Sequence, residues 1–189
     1  LKVSFIDYLN SVPLGWGFLQ GPDQDAFDLL FDVPSECATH LSTGEADIGL
    51  IPVIEYQRIP DLLVLPDIAI ASKREVKSVL FVTKAPLTEV KNVAVDTSSR
   101  TSVALLKILL YKFHGLDSIT FQEESPDPDK MLELYDGALI IGNPALKVAK
   151  GGLHIHDLVR EWNQFTGLPF VFACWSVRAE VNLGTQKEI

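Results

Sequence analysis

The sequence changes from apolar to hydroxyl-rich and back to apolar over residues 91–103, which read KNVAVDTSSRTSV. Its apolar start, residues 91–95, predicts a strand. Five hydroxyl residues and one arginine follow. The apolar side chains from Val103 onward then recur at helical spacing, which predicts a helix that continues to residue 113. A strand, a polar turn and a helix in this order form the repeating unit of α/β proteins.

The same order of elements recurs along both halves of the chain. Further short apolar runs predict strands at residues 2–6, 27–33, 47–51, 76–82, 118–122, 137–141 and 168–177. Ser35 is predicted to cap a helix that ends near Gly44. Because near-continuous apolar strands alternate with helices, we expect parallel sheets covered on both faces, and therefore an α/β fold.

Two such α/β units leave two long strands to run between them. We therefore predict a two-lobed binding-protein architecture with paired hinge strands near residues 76–82 and 168–177 and a ligand cleft between the lobes. Lobe 1 would contain residues 1–75 and 171–189, and lobe 2 residues 76–170. Ligands of open α/β sheets bind outside the carboxyl ends of the strands, so the polar turns at those ends define the candidate site.

The composition excludes several kinds of partner. The net charge is −9 and basic residues are not clustered, which argues against nucleic acid. No apolar run is long enough to cross a bilayer, so we predict no membrane partner. The first residues are typical of a strand rather than of a signal peptide, which predicts a cytoplasmic location. The two cysteines, Cys37 and Cys174, are expected to be buried free thiols.

The turn after the strand at 91–95 is the strongest candidate for anion binding. The first amides of a helix lack internal partners and the helix dipole favours an anion there. Four hydroxyl side chains would add donors, those of Thr97, Ser98, Thr101 and Ser102. The alternative, with about equal weight, is a helix cap with a solvated surface, since Ser and Thr favour helix starts in any case.

Two further polar residues stand where a ligand could reach them. Asn10 follows the first strand, where it either shapes the turn or presents a donor and an acceptor to a ligand. Ser78 is predicted to lie inside an apolar strand, an environment that serine does not favour. Its hydroxyl needs a partner, which is either a ligand or neighbouring backbone.

The common catalytic and cofactor motifs are missing from the chain. It has no Walker loop, no GxGxxG, no GxSxG and no HExxH. His154 and His156 alternate around Ile155, but only Asp157 stands beside them as a further zinc ligand. We therefore predict neither a metal nor an organic cofactor.

Five motifs, taken together, resemble the chorismate dehydratase family of the futalosine route to menaquinone. They occur in the family's order over nearly the whole chain: YLNSVPL at 8–14, GEADIGLIP at 44–52, VKSV at 76–79, TSSRTSV at 97–103, and TGLPFVFA at 166–173 followed by Trp175. The resemblance implies a type II periplasmic-binding-protein-like fold that is used for catalysis. It also implies chorismate as the substrate and 3-[(1-carboxyvinyl)oxy]benzoate as the product of a hydro-lyase reaction.

The resemblance also implies roles for individual residues. Asn10 and Ser78 match the family's asparagine and serine that are tied to catalysis. The substrate-binding residues would be Ser11, Thr97, Ser98, Thr101, Ser102, Gly142 and Asn143. None of these assigned residues is a His or a Glu, so the substrate's own enolpyruvyl carboxylate is the hypothetical proton acceptor.

The chain departs from the family pattern at two points. Asn143 stands where the family usually has an aspartate, in the segment that reads IGNPAL. Family members usually continue well beyond the residue that matches Arg178, so the C-terminal part of lobe 1 is expected to be incomplete.

Two rival functions share the predicted fold. The first is the 1,4-dihydroxy-6-naphthoate synthase of the same pathway, which carries a histidine base about where this chain has Gly142. The second is a non-catalytic solute-binding protein for a small anion, which a signal peptide would normally accompany.

Overall fold

The computed structural model of the protein describes residues 1–8, 11–22, 24–96, 98–148 and 151–181. The chain divides into two compact units, one made of Leu1–Ile70 together with the segment from Phe172 onward, the other of Ala71–Val171. The chain leaves the first unit within one long strand and re-enters it within another. The lobe boundaries and the hinge role predicted for residues 76–82 and 168–177 stay predictions.

The first unit contains a five-stranded sheet with its helices. Its elements are β1 (Lys2–Ile6), α1 (Val12–Gln20), β2 (Asp28–Asp32), α2 (Pro34–Thr43), β3 (Ile48–Pro52), β4 (Leu62–Ser72) and, from Phe172 onward, β10 (Phe170–Arg178), with short 3₁₀ turns at Gln24–Ala26 and Val53–Gln57. The strand order is β2-β1-β3-β10-β4. β1 runs parallel to β2 and β3, and β10 runs antiparallel to β3.

The core of the first unit explains the apolar runs of its strands. Val3 and Leu50 are fully buried, and Trp175 packs against the ring of Phe5 at 5.9 Å between centroids. α1 approaches this core through Gly15, where an added Cβ would stand 2.4 Å from the Phe5 ring. Only glycine permits so close an approach of the helix to the sheet.

The second unit is built around another five-stranded sheet. Its elements are β5 (Val79–Thr83), β6 (Asn92–Asp96), α3 (Arg100–Ile108), β7 (Thr120–Glu124), α4 (Pro128–Leu134), β8 (Gly137–Ile141), α5 (Gly142–Leu146), β9 (His154–Asp157) and α6 (Leu158–Thr166), with a 3₁₀ turn at Leu87–Glu89 and a π-helical turn at Leu109–Phe113. The strand order is β7-β6-β8-β5-β9. β6 is parallel to β7 and β8, whereas β5 is antiparallel to both β8 and β9.

The predicted α/β fold is confirmed, with corrections of detail. Both sheets are mixed, not purely parallel, because an apolar run reports burial on both faces of a strand and says nothing of its direction. Ser35 lies inside α2, whose N-cap is Val33, so the predicted capping role is wrong. Ser78 precedes β5 and does not lie inside a strand, because the backbone turns sharply at Lys77 (φ 57°).

The expectation for the cysteines is confirmed: Cys37 and Cys174 are both free and buried. Burial raises the pKa of the Cys37 thiol to about 11. Among the helices that the structure describes, none has both the length and the apolar character that a bilayer crossing requires.

Candidate functional site

Three of the predicted site segments meet at one edge of the second sheet. Because β6 and β8 are parallel, the turn after Asp96 and the residues Gly142 and Asn143 lie at the same edge. β5 runs antiparallel to β8, so Ser78, just before β5, reaches this edge from the opposite chain direction. We call it the carboxyl edge of the second sheet. Polar groups at such an edge are well placed for ligand binding.

Ser78 is held through its backbone on both sides. Its N–H donates to the carbonyl of Val76 at 2.7 Å, and its own carbonyl accepts the N–H of Gly142 at 2.8 Å. Gly142 has a φ of 65°, a conformation that favours glycine. Two predicted site residues are therefore joined directly, and the half-buried Ser78 hydroxyl projects from a fixed peptide. Asn143, the next residue, is exposed.

The turn after β6 is internally hydrogen-bonded. One oxygen of the buried Asp96 carboxylate accepts both the N–H (2.8 Å) and the hydroxyl (2.6 Å) of Ser98. The Ser99 hydroxyl donates to that of Ser102 at 2.7 Å, and Ser102 and Thr101 are buried. Ser99 is the N-cap of α3, yet its side chain makes no capping bond. Anion binding by this turn stays a prediction.

Ser11 is the most unusual polar group of the first unit. It is the N-cap residue of α1 and is 0% exposed. Its backbone is satisfied, since its N–H donates to Tyr8 and its carbonyl accepts from Leu14. Its hydroxyl, in contrast, caps nothing and has no hydrogen-bond partner within the described residues. Leaving a buried hydroxyl unpaired costs about 1–3 kcal/mol, and residues 9 and 10, directly before Ser11, lie outside the described residues.

Two of the predicted residues, Asn10 and Thr97, lie outside the described residues. Their predicted roles, in catalysis and in substrate binding, therefore stay predictions.

The sequence did not predict that Asp157 contributes to this edge of the sheet. β9 is antiparallel to β5 and pairs Asp157 with Leu80, so β9 ends at the carboxyl edge of the second sheet as well. The Asp157 carboxylate caps α6 and also accepts the N–H groups of Val76 and Lys77. An aspartate before an apolar periodic run signals the cap, but no sequence signal reveals bonds to residues about eighty positions earlier.

The sequence also did not predict that the carboxylate of Glu161 lies between two histidines. Glu161 on α6 bonds Nδ1 of His156 at 2.6 Å and Nε2 of His114 at 2.9 Å, while the other ring nitrogen of His156 is buried without a partner among the described residues. Burial alone would raise the pKa of Glu161, but the two imidazoles hold that pKa below its usual value. The structure thus gives His156 a carboxylate partner, and no cluster of metal-ligating side chains occurs in the described parts of the chain.

Comparison with known proteins identifies the family. The model of a family described as menaquinone biosynthesis matches residues 1–189. The chain belongs to this family. The resemblance predicted from the five motifs is therefore confirmed.

Two curated relatives are both named chorismate dehydratase. A chorismate dehydratase from Thermus thermophilus is 34% identical over 191 residues, which cover 92% of this chain and 68% of that protein. Another, from Campylobacter jejuni subsp. jejuni, is 30% identical over 176 residues, covering 90% of this chain and 65% of that protein. The chain thus spans about two thirds of the length of these relatives.

Solved structures support the two-lobed fold. Protein AF1704 from Archaeoglobus fulgidus aligns with a TM-score of 0.76 and 17% identity, covering 99% of this chain and 70% of that one. The periplasmic aliphatic sulphonate binding protein SsuA from Escherichia coli aligns with a TM-score of 0.64 and 16% identity, covering 94% of this chain and 64% of that one. At these identities the likeness shows the fold alone, and it agrees with the predicted periplasmic-binding-protein-like class.

Proposed function

We propose that the chain dehydrates chorismate to 3-[(1-carboxyvinyl)oxy]benzoate, as a carbon–oxygen lyase of menaquinone biosynthesis. In this reaction a ring hydroxyl leaves, the adjacent ether-bearing ring carbon loses its proton, and the ring becomes aromatic. One water is lost from each substrate, so the reaction requires no oxidant and no reductant. Family membership and the 34% identity to a chorismate dehydratase support the proposal.

One observation carries the proposal: Ser78, Gly142 and the turn after β6 meet at the carboxyl edge of the second sheet. The motif resemblance falls on Ser78 and on the turn after β6. Ser78 offers a hydroxyl on a backbone that is fixed from both sides, which suits a hydrogen bond aimed at charge that develops during the reaction.

Ser11 is a further proposed substrate-binding residue, and it lies in the first unit. Its buried hydroxyl has no partner in the described part of that unit, and it follows directly after Asn10 in the YLNSVPL motif.

The proposed mechanism relies on orientation and needs no strong base. Formation of an aromatic ring supplies the driving force, so the protein mainly has to orient chorismate and assist the departure of hydroxide. Asn10 and Ser78 would hydrogen-bond the reacting part of the ring. The hydroxyls of Thr97, Thr101 and Ser102 would bind a substrate carboxylate, whereas the hydroxyl of Ser98 already donates to Asp96. The enolpyruvyl carboxylate of the substrate would accept the proton.

A direct assay tests the proposal. The purified protein is incubated with chorismate, and products are followed by liquid chromatography with mass spectrometry. We expect an aromatic product one water lighter than chorismate from the wild type and from Ser118→Ala, an exposed serine before β7, and far less from Ser78→Ala. Failure of the folded wild-type protein to form this product would overturn the proposal.

A cytoplasmic location is part of the same proposal. It is supported by the two free, buried cysteines, which are typical of proteins from reducing compartments.

A further inference from the structure

The carboxylate of Asp157 accepts four backbone N–H groups from two distant segments of the chain. Its Oδ1 accepts those of Val159 and Arg160, at 3.0 and 3.1 Å, which caps α6. Its Oδ2 accepts those of Val76 and Lys77, at 3.0 and 2.7 Å. The residue is only 5% exposed. Because a helix cap requires one side-chain oxygen, the second oxygen has a separate role.

The segment held by this second oxygen determines the position of Ser78. Lys77 has a φ of 57°, a left-handed conformation that residues with a side chain seldom adopt. The Ser78 N–H closes a tight turn onto the Val76 carbonyl, and Gly142 holds the Ser78 carbonyl from the other side. The direction of the Ser78 hydroxyl therefore depends on the carboxylate of Asp157.

We infer that Asp157 is a positioning residue for Ser78 in the reaction proposed above, and the inference rests on that proposed function. Asp157 keeps residues 76 and 77 in a conformation that the chain would otherwise leave. It thereby keeps the Ser78 hydroxyl in one direction without touching the substrate. Positioning of this kind matters because a shift of about 1 Å at a reacting group lowers the rate by about a hundredfold.

A second link between the same segments provides a matched comparison. Arg160, in the first turn of α6, pairs with Glu75, which belongs to the segment before Ser78. The two side chains are 56% and 37% exposed, so the pair contributes little to stability. It leaves the amides of residues 76 and 77 untouched. Its loss should therefore leave Ser78 in place.

The test separates the capping role of Asp157 from its positioning role. Serine is a good N-cap but has one oxygen on a short side chain, so Asp157→Ser keeps the cap of α6 and releases residues 76 and 77. We expect kcat to fall by about tenfold to a hundredfold with KM near the wild-type value. In a Ser78→Ala background, Asp157→Ser should cause no further loss of kcat. Asp127→Ser, at the comparable N-cap of α4, and Arg160→Ala should keep the wild-type kcat.

The outcomes distinguish this inference from the proposed function. No product from wild-type protein overturns the function, and the inference falls with it. An active wild type with an equally active Asp157→Ser variant overturns the inference alone, as does wild-type turnover in Ser78→Ala. An equal fold-loss of kcat in the wild-type and Ser78→Ala backgrounds also overturns it. A general structural defect would lower kcat by the same factor whether or not the Ser78 hydroxyl is present. Should Asp157→Ser fail to fold, Asp157→Asn, another good N-cap, is judged by the same criteria.

Discussion

Replacing Glu161 with alanine should destabilise the second unit by about 3 kcal/mol at neutral pH. The Glu161 carboxylate bonds His156 at 2.6 Å and His114 at 2.9 Å, and its side chain is only 14% exposed. A hydrogen bond to a charged group contributes about 1.5–3 kcal/mol. Because both imidazoles are partly exposed, we take the lower limit for each bond, and the two bonds together give about 3 kcal/mol.

The effect should depend on pH in a defined direction. The imidazole partners hold the pKa of Glu161 below its usual value although burial opposes them. A carboxyl group whose pKa is lower in the folded state stabilises the fold above its unfolded pKa, and this contribution is lost as the pH falls through the folded value. The difference in unfolding free energy between wild type and variant should therefore be present at pH 7 and shrink once the pH falls below about 4.

Urea unfolding followed by circular dichroism measures both effects. With a slope of about 1.5 kcal/mol per molar urea, the expected loss lowers the midpoint by about 2 M. Glu133→Ala, on the exposed face of α4, is the control and should stay within about 0.5 kcal/mol of wild type. A wild-type midpoint for Glu161→Ala, or a difference in unfolding free energy that does not shrink below about pH 4, would refute the reasoning.

Three further predictions concern turnover, packing and reactivity. Asn10→Ala and Ser78→Ala should each slow turnover of chorismate by about 10²–10³, and the double variant by less than the product of the two; wild-type turnover in both single variants would remove the catalytic assignment. Gly137→Ala would bring a methyl group to 2.8 Å from the buried Phe81 ring. It should lower the free energy of unfolding by about 1–3 kcal/mol, so an unchanged melting temperature would contradict this packing. The Cys37 thiol, whose pKa burial raises to about 11, should resist a thiol reagent at pH 8 until the protein is denatured, and labelling of Cys37 in the native state would count against its burial.

The order of elements was predictable because apolar periodicity reports burial directly. β8 was predicted with the bounds it has, Gly137–Ile141, since four of its five residues are buried and Ile141 is half-buried. The predicted site segments around Ser78, Gly142 and the turn after β6 do come to one sheet edge. Their motifs stand at strand ends, where the sequence pattern itself changes from apolar to polar.

The rest depended on contacts between residues far apart in the sequence. Lys77 gives no sign of its left-handed backbone, because that conformation goes with hydrogen bonds to Asp157, eighty residues later. The pairing of His114 with Glu161 spans 47 residues and has no local pattern. The internal bonds of the Asp96 turn were likewise unforeseen, since the same hydroxyl residues also suit an anion site.

The position of β10 in the first sheet determines the order in which the two sheets can be completed during synthesis on the ribosome. β10 lies between β3 and β4, so the first sheet lacks an interior strand until residues 170–178 have been synthesised. The second unit is one continuous segment, Ala71–Val171, and needs no later residue to complete its own sheet. At about 5–20 residues per second, its roughly one hundred residues take about 5–20 s to synthesise. Residues 1–70 are therefore synthesised first, but their sheet stays incomplete, with the apolar β3 unpaired on one side, until β10 has been made. The second unit starts later along the chain and is the first whose strands are all synthesised.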